Sequence, residues 1–349
     1  MSDRAASRLE IGLNAAIVAV RGDVPLVLTV GGTGEGPAAA AGEGAGEALP
    51  FGPFDPLRHR TLEIGLRSWV EAQTALRLGY VEQLYTFGDR GRYARGGDVG
   101  AHVVSVGYLA LTRIAARAEV HEEAAIASLE ALAGAGAAFR PWYDHFPWED
   151  WRRGRPAVVD EAILPALRAW VAEAPEDADP TRAIGRAERL ALFFGTDGAP
   201  FDEEKVLERY ELLYEAGLVE EARRDRAAAG HPVLRTPLSG MGRPMRFDHR
   251  RILATAISRL RAKLKYRPVV FELMPESFTL TELQRTVEAI SGRHLHKQNF
   301  RRLVETAALV EATGETSLAT GGRPASLYRF RREVVRERPA PGLRLGTRG

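Results

Sequence analysis

The stretch Phe278–Gln284 (FTLTELQ) is followed at a short distance by Lys297–Glu305 (KQNFRRLVE). Within the first stretch, Thr279 and Glu282 have the spacing of a capping box, in which the threonine accepts from a free amide and the glutamate reaches back to the cap nitrogen. Apolar residues then recur with helical spacing as far as Gly292, a residue typical of a helix end. The sequence therefore predicts a helix that begins after Thr279 and ends at Gly292.

A second helix of about ten residues is predicted from Lys297, after a short turn. Phe300, Leu303, Val304 and Ala307 can face a core, and strands are predicted at 309–312 and 325–330 around a glycine-rich tip at 321–323. Helix, turn, helix and β-hairpin in this order are typical of a winged helix-turn-helix.

In such modules the second helix enters the major groove of DNA and presents side chains near its N-terminus to base edges. Arginine and lysine suit guanine there, and asparagine and glutamine suit adenine. The candidate DNA-binding residues are Lys297, Gln298, Asn299, Arg301 and Arg302 on the helix and Arg323 at the hairpin tip. The alternative is a winged helix that is used only for protein contacts.

Charge is unevenly distributed along the 349 residues. Residues 243–349 contain 22 Lys and Arg against 10 Asp and Glu, a net charge of +12, whereas the preceding 242 residues have a net charge of −10. This asymmetry favours a polyanion-binding module attached to a separate sensing or catalytic domain, the alternative being a basic solvated surface with a basic tail.

The chain has no cysteine, which excludes disulfides, thiolate metal sites and catalytic cysteines. It also has no apolar run long enough for a membrane span and no signal peptide at its N-terminus. A cytoplasmic protein without a membrane partner is therefore expected.

The N-terminal part reads as a mixed α/β sandwich. Strands are predicted at 11–20 and 24–30, which form a hairpin, and at 79–88 and 102–112, with helices at 61–77 and 250–265 and a flexible loop at 31–48. Between the sandwich and its last helix, proline-punctuated helical segments over 158–229 predict a helical insertion.

The predicted domains follow from these changes of pattern. They are an effector domain at 1–145, completed by about 240–265, a helical insertion at 146–239, a winged helix at 266–335 and a disordered tail at 336–349.

Residues 49–88 have the outline of a Nudix pyrophosphohydrolase box. The positions that match its Glu-x-x-Glu-Glu core are Trp69, Ala72 and Gln73, and only Glu63 and Glu71 remain as carboxylates on the predicted helix. Those two lie about 12 Å apart along a helix axis, too far apart to chelate one divalent cation. We expect no catalytic residue, no metal site and no cofactor.

The chain resembles the Nudix-related transcriptional repressors of NAD biosynthesis, of the NrtR type and its alphaproteobacterial relative NadQ. The segments that carry this resemblance lie at 79–89, 103–111, 247–249, 271–284, 299–302 and 322–330. The resemblance implies an α+β chain in which a Nudix-like α/β/α sandwich with a helical insertion precedes the winged helix. It also implies a homodimer that binds a double-stranded DNA operator and responds to an adenine nucleotide such as ADP-ribose, NAD or ATP.

Four residues that flank the former active site are candidates for binding this effector, namely Arg67, Gln83, Tyr85 and Phe87. Tyr85 and Phe87 can equally be strand residues packed in a core, and Arg67 a solvated helix residue. The aromatic segment 139–151 favours packing of the insertion onto the sandwich over a ligand cage or a subunit interface, and His145 and His249 read as structural.

Together these patterns predict a nucleotide-responsive DNA-binding repressor of NAD biosynthesis genes with a catalytically inactive sensor domain. The alternatives are an active Nudix hydrolase of ADP-ribose or a related nucleoside diphosphate derivative, and a scaffold that does not bind DNA.

Overall fold

A computed structural model of the chain describes residues 8–31, 46–89, 101–114, 126–127, 129–173, 184–233, 235–317, 324–337 and 342–343. The strands of these ranges are β1 (Arg8–Arg21), β2 (Val24–Val30), β3 (Phe51–Pro53), β4 (Tyr80–Phe87), β5 (Ala101–Leu111), β6 (Arg113–Ile114), β7 (Ile126–Ala127), β8 (Ala137–Pro141), β9 (Val310–Ser317) and β10 (Ala325–Phe330). The helices are α1 (Leu62–Thr74), α2 (Leu129–Gly134), α3 (Leu164–Ala172), α4 (Arg186–Phe194), α5 (Val206–Glu215), α6 (Glu220–Ala228), α7 (His249–Tyr266), α8 (Leu280–Ser291), α9 (Lys297–Ala307) and α10 (Val334–Glu337). None of these helices is long and apolar enough to cross a membrane.

A six-stranded mixed sheet forms the centre of the N-terminal part. Its strand order is β4-β5-β1-β2-β8, and β3 pairs with β1 beside this path. The long strand β1 pairs in parallel with β5 and antiparallel with β2 and β3. The hairpin and the strands predicted from the sequence are therefore present.

Side chains of β1 alternate between two cores because successive strand residues point to opposite faces. Leu13 and Ile17 are buried in the same cluster as Leu66 of α1. Ala16 and Val18 belong to the cluster that contains Leu253 of α7. The sheet thus lies between α1 and α7, as the predicted α/β/α sandwich requires.

Helix α1 ends earlier than predicted. Thr61 caps its start by accepting from the amide of Ile64 at 3.2 Å. At the other end Ala75 adopts a left-handed conformation with a φ of 55°, which stops the helix at Thr74 instead of residue 77.

The helices predicted for the insertion pack on α7 as well as on each other. Buried residues of α4, α5 and α6, among them Phe194, Tyr210 and Ala222, belong to the same core cluster as Leu260 of α7. This cluster continues without a break into the winged helix, where it includes Ile290 and Val304. The winged helix therefore shares its core with the rest of the chain.

The capping box predicted at Thr279 is present. Thr279 Oγ1 accepts from the amide of Glu282 at 3.2 Å, and the carboxylate of Glu282 accepts from the amide of Thr279 at 2.7 Å. Gly292 ends α8 with a φ of 70°. Strands β9 and β10 form the antiparallel hairpin of the wing.

Two predictions of irregular structure are wrong for part of their length. In the tail predicted to be disordered over 336–349, Arg336 and Glu337 complete α10, and Leu343 is 1% exposed and donates its amide to Leu264 at 2.8 Å. At the end of the loop predicted over 31–48, Glu47 and Ala48 are buried, and Ala48 pairs with Val30. Residues 32–45, 338–341 and 344–349 lie outside the described residues.

Candidate functional site

The five helical residues predicted to bind DNA lie on one exposed surface of α9. Phe300 and Val304 are buried beneath them and hold the helix on the core. The exposed members are Lys297, Gln298, Asn299, Arg301 and Arg302. This division follows from the helical period, because the two buried residues are four apart and the polar residues occupy the positions between and before them.

The side chains of these five residues form no hydrogen bond or ion pair with any other described residue. Arginine, lysine, asparagine and glutamine side chains without internal partners can reach base edges and phosphates without first breaking a bond within the protein. The sixth candidate, Arg323, lies outside the described residues.

The turn before α9 is fixed by side chains of α8. Gln284 Nε2 donates to the carbonyl of Leu295 at 2.8 Å, and Glu288 Oε1 accepts from the amide of Leu295 at 2.8 Å. Side chains of α8 thus bind both the amide and the carbonyl of Leu295. The turn therefore fixes the position at which α9 begins.

The positive charge of residues 243–349 is not concentrated on the winged helix, although the sequence analysis favoured that arrangement. Much of the positive charge lies on α7, where Arg250, Arg251, Arg261, Lys263 and Lys265 pair with carboxylates of the acidic body. The winged helix span 270–330 has seven Lys and Arg against seven Asp and Glu. The regional charge of +12 is therefore no measure of DNA affinity. The cations of α9 are exposed and have no side-chain partner among the described residues.

Two residues of α1 that the sequence analysis aligned with the glutamates of a Nudix box form packing contacts and hydrogen bonds. Trp69 Nε1 donates to the carbonyl of Pro53 at 2.8 Å, and its indole ring covers Gly52, where any Cβ would overlap the ring. Gln73 accepts from the amide of Phe51 at 3.0 Å and donates to its carbonyl at 2.6 Å.

The carboxylates that remain on α1 do not fit a divalent cation. Glu63 pairs with Arg67 at 2.9 Å, and Glu71 pairs with Arg77 at 3.0 Å, all at the surface. Hard cations need several converging oxygen ligands. No group of three or more His, Asp or Glu side chains in the described ranges is placed to hold a metal ion.

The four predicted effector residues do not meet at one site. Arg67 donates to the carbonyls of Leu78 and Gly79 and so fixes the loop after α1. Phe87 is 4% exposed and belongs to the core, whereas Tyr85 is 62% exposed and touches Phe87 edge-on at 5.2 Å. Gln83 is exposed and accepts from the hydroxyl of Tyr108 at 3.4 Å.

A cleft of about 570 Å³ opens beside the N-terminal end of β1. It is lined by Leu9, Glu10, Ile11, Gly12, Phe51, Gly52, Pro53, Phe54, Pro56 and Val103. Its size is in the range of small-molecule sites, and its walls combine aromatic rings with exposed strand backbone. The signal missed in the sequence is the segment Phe51–Pro56, which combines two phenylalanines and two prolines after a buried strand position.

Arg58 and Arg60 follow in the loop that bounds this cleft. Both are exposed, and neither side chain has a partner among the described residues. They lie two and four residues after Pro56, which lines the cleft. Arginine side chains are suitable donors for phosphate groups.

His145 and His249 are both buried and structural. His249 Nδ1 accepts from the amide of Leu49 at 3.0 Å, and burial, helped by Arg246 and Arg224, lowers the pKa of His249 to about 3. His145 contacts the carbonyl of Arg243 through Nδ1 at 3.0 Å, and burial lowers its pKa as well. Both imidazoles are therefore neutral at pH 7.

The aromatic segment 139–151 packs the insertion onto the sheet, as predicted. Trp142 and Trp148 are buried in the core cluster. Phe146 meets Tyr210 of α5 edge-on at 6.1 Å, and Trp151 stacks on Phe201 at 3.8 Å.

Comparison with known proteins identifies the C-terminal module. Residues 270–330 match the sequence profile of the NrtR DNA-binding winged helix domain. The module is an NrtR-type winged helix. Helix α9 and its exposed surface lie within the matched span. The predicted resemblance to the Nudix-related NrtR repressors is confirmed.

A curated relative is the ADPR responsive transcriptional repressor NtrR of Acinetobacter baylyi, which is 46% identical over 84 residues. This match covers 24% of the present chain and 33% of the relative, so the chain spans about a third of the length of the relative it matches.

Among solved structures, the fold is similar to that of Shewanella oneidensis NrtR in complex with a 27mer DNA. The TM-score is 0.51 at 20% sequence identity, over 93% of this chain and 95% of the other. This similarity confirms the predicted fold class, a mixed α/β Nudix-like part followed by an NrtR-type winged helix. A MutT/nudix family protein from Enterococcus faecalis is also similar, with a TM-score of 0.47 at 16% identity over 95% and 90% of the two chains.

Proposed function

We propose that this protein is a nucleotide-responsive DNA-binding repressor of NAD biosynthesis genes. The observation that supports this most strongly is the exposed surface of α9, where five side chains suited to base edges and phosphates have no partner among the described residues. The NrtR-type profile match over the same span supports its use on DNA rather than on a protein partner.

We assign base reading to Asn299, Arg301 and Arg302, and initial phosphate or base contacts to Lys297 and Gln298 near the start of α9. In helix-turn-helix proteins the N-terminal residues of the recognition helix contact base edges. Arg323, which the sequence predicts at the hairpin tip, is proposed as a phosphate or minor-groove contact. The protein acts as a homodimer in this proposal, because two copies related by a two-fold axis match the two halves of a palindromic operator.

The Nudix-like part is the proposed sensor, with the domain limits predicted from the sequence. We place the effector in the cleft lined by Phe51 and Phe54 and the phosphates beside Arg58 and Arg60. ADP-ribose is the first candidate effector, because the relative from Acinetobacter baylyi is named as ADPR responsive; NAD and ATP are the competitors.

We infer that the sensor binds its nucleotide without hydrolysing it. Trp69 and Gln73 hold the strand segment at Phe51–Pro53, and Glu63 and Glu71 pair with arginines, so α1 offers no converging carboxylates. A protein that binds operators works where the DNA is, which we take to be the cytoplasm.

Operator binding is tested by protection footprinting of the full-length protein on promoter fragments of NAD biosynthesis genes. The proposal predicts one palindromic footprint and an affinity that falls steeply with salt, because cations of the protein displace counterions from phosphates. Binding without a defined footprint would leave only nonspecific attraction, and no binding would favour the scaffold alternative.

The effector site is tested by thermal-shift and calorimetric titration with ADP-ribose, NAD, ATP and NMN. Phe54→Ala and Arg58→Ala are expected to weaken binding of the tightest nucleotide about tenfold or more, while Tyr85→Ala, at a residue that does not line the cleft, leaves it unchanged. The reverse pattern would place the effector at the four residues predicted from the sequence. Magnesium-dependent cleavage of ADP-ribose would support the hydrolase alternative.

A further inference from the structure

A buried ion cluster lies where the insertion, α7 and the winged helix meet. The carboxylate of Glu149 accepts from Arg209 Nε at 2.6 Å and Nη2 at 2.8 Å, and from Arg261 Nη1 at 2.8 Å. The three residues are 1%, 1% and 2% exposed. Burial raises the pKa of Glu149, but the two guanidinium groups outweigh it and hold the pKa below its ordinary value, so the cluster is charged.

The same cluster caps the C-terminal end of α8. The last carbonyls of a helix have no partner within the helix and carry its negative end. Here Arg261 Nε donates to Ile290 O at 2.9 Å, the hydroxyl of Tyr143 donates to Ala289 O at 2.8 Å, and the amide of Trp151 donates to Gly292 O at 2.8 Å.

Gly292 closes this contact at the point where α8 turns toward α9. A Cβ at this position would lie 2.5 Å from Glu149 O and 2.7 Å from Arg261 Nη2. The end of α8 and the cluster are therefore in direct contact, with no space for a side chain between them.

Helix α7 connects this contact to the proposed effector cleft. At its N-terminal end, the ring of His249 lies 5.1 Å from that of Phe51, which lines the cleft, and its Nδ1 accepts from Leu49. In its C-terminal half, Arg261 holds Ile290. One helix of 18 residues thus touches both the cleft wall and the end of α8.

We propose that Glu149, Arg209 and Arg261 are positioning residues for operator recognition. They fix the end of α8 relative to the sensor, and α8 in turn fixes the recognition helix α9 through the hydrogen bond between Gln284 and Leu295. This inference rests on the proposed DNA-binding function. It gives the insertion a role, because Arg209 on α5 completes the cluster. A displaced α8 changes where α9 meets base edges but leaves the cations of α9 exposed, so operator affinity falls while nonspecific DNA affinity remains.

The test compares Gly292→Ala with Gly230→Ala in the full chain. Both glycines have a φ of 70°, but a Cβ at Gly230 meets nothing within 4 Å, so the control carries the same backbone strain without the contact. Affinity is measured for the footprinted duplex and for an unrelated duplex of equal length, at a temperature at which circular dichroism shows both variants folded. We expect Gly292→Ala to bind the operator at least about tenfold more weakly than Gly230→Ala, with unrelated-duplex affinities within about twofold.

Tyr143→Phe provides a milder second variant if Gly292→Ala does not fold, with Tyr266→Phe at a partly exposed site as its control. Loss of the bond to Ala289 is expected to lower operator affinity about threefold to tenfold and to leave unrelated-duplex affinity unchanged. Equal operator affinities for variant and control would overturn the inference. Failure of the unaltered protein to bind any operator would instead overturn the proposed function.

Discussion

The side-chain amide of Gln73 bridges both backbone groups of Phe51, accepting from its N–H at 3.0 Å and donating to its C=O at 2.6 Å. A carboxylate cannot form this pair, because it has no proton to donate. Gln73, which the sequence analysis aligns with a glutamate of a Nudix box, is thus tied to a residue that lines the cleft.

Gln73→Glu is expected to destabilise the protein by about 1–3 kcal/mol, since it leaves the carbonyl of Phe51 without its donor and brings a second acceptor toward it. Urea denaturation measures this loss, with Gln83→Glu at an exposed strand position as the control. No magnesium-dependent cleavage of ADP-ribose should appear. An unchanged midpoint would show that the bridge contributes little to stability.

Arg302→Ala tests whether α9 reads DNA. The side chain of Arg302 is exposed and has no partner among the described residues, so its loss should leave the thermal midpoint unchanged. Operator affinity should fall by about 1–3 kcal/mol, or roughly fivefold to 150-fold. Arg168→Ala, at an exposed position of α3, is the control and should change neither quantity. A parallel loss of midpoint and affinity would mean that Arg302 is structural.

Glu149→Gln and Glu311→Gln compare a buried with a surface ion pair. The first leaves two buried guanidinium groups without their counterion and should cost about 3–5 kcal/mol of unfolding free energy. The second removes the exposed contact of Glu311 with Arg329 at 2.6 Å and should cost about 1 kcal/mol at most. Equal costs, measured by chemical denaturation, would argue against a closed cluster at Glu149.

The protein is expected to become less stable as the pH falls, because His249 is buried in its neutral form. Its folded pKa of about 3 lies below its ordinary value of 6.5, so between these values the unfolded chain binds a proton that the folded chain does not. The free energy of unfolding therefore decreases as pH falls through this window, by up to about 1.4 kcal/mol per pH unit.

His249→Gln should reduce this slope without removing it, because burial also lowers the pKa of His145. His231→Gln, at an exposed position, should leave the slope as it is. Denaturation midpoints measured at several pH values between 7 and 4 provide the comparison, and an unchanged slope in His249→Gln would assign the acid sensitivity to other groups.

Local patterns in the sequence predicted the elements whose stabilising contacts are close in the chain. The capping box of Thr279 and Glu282 spans three residues, and the exposed surface of α9 follows from the helical period around Phe300 and Val304. The hairpin of β1 and β2 was predicted for the same reason.

Contacts between distant residues could not be predicted in this way. Arg261 reads as one of many solvated basic residues of α7, but its partner Glu149 is 112 positions away and the insertion and α8 bury both. The effector site was sought beside α1 and β4, where Arg67 and Phe87 prove to stabilise a loop and the core. The cleft proposed for the effector forms where β1, β3 and β5 meet, a meeting that only the sheet order reveals.

The most direct measurement is an anisotropy titration of the footprinted duplex with the full-length protein, with and without saturating ADP-ribose. The proposed function predicts salt-dependent binding to this duplex, at least about a thousandfold tighter than to unrelated DNA. It also predicts a shift in that affinity of about fivefold or more on addition of the nucleotide. Equal affinity for both duplexes, or an operator affinity that no adenine nucleotide changes, would contradict it.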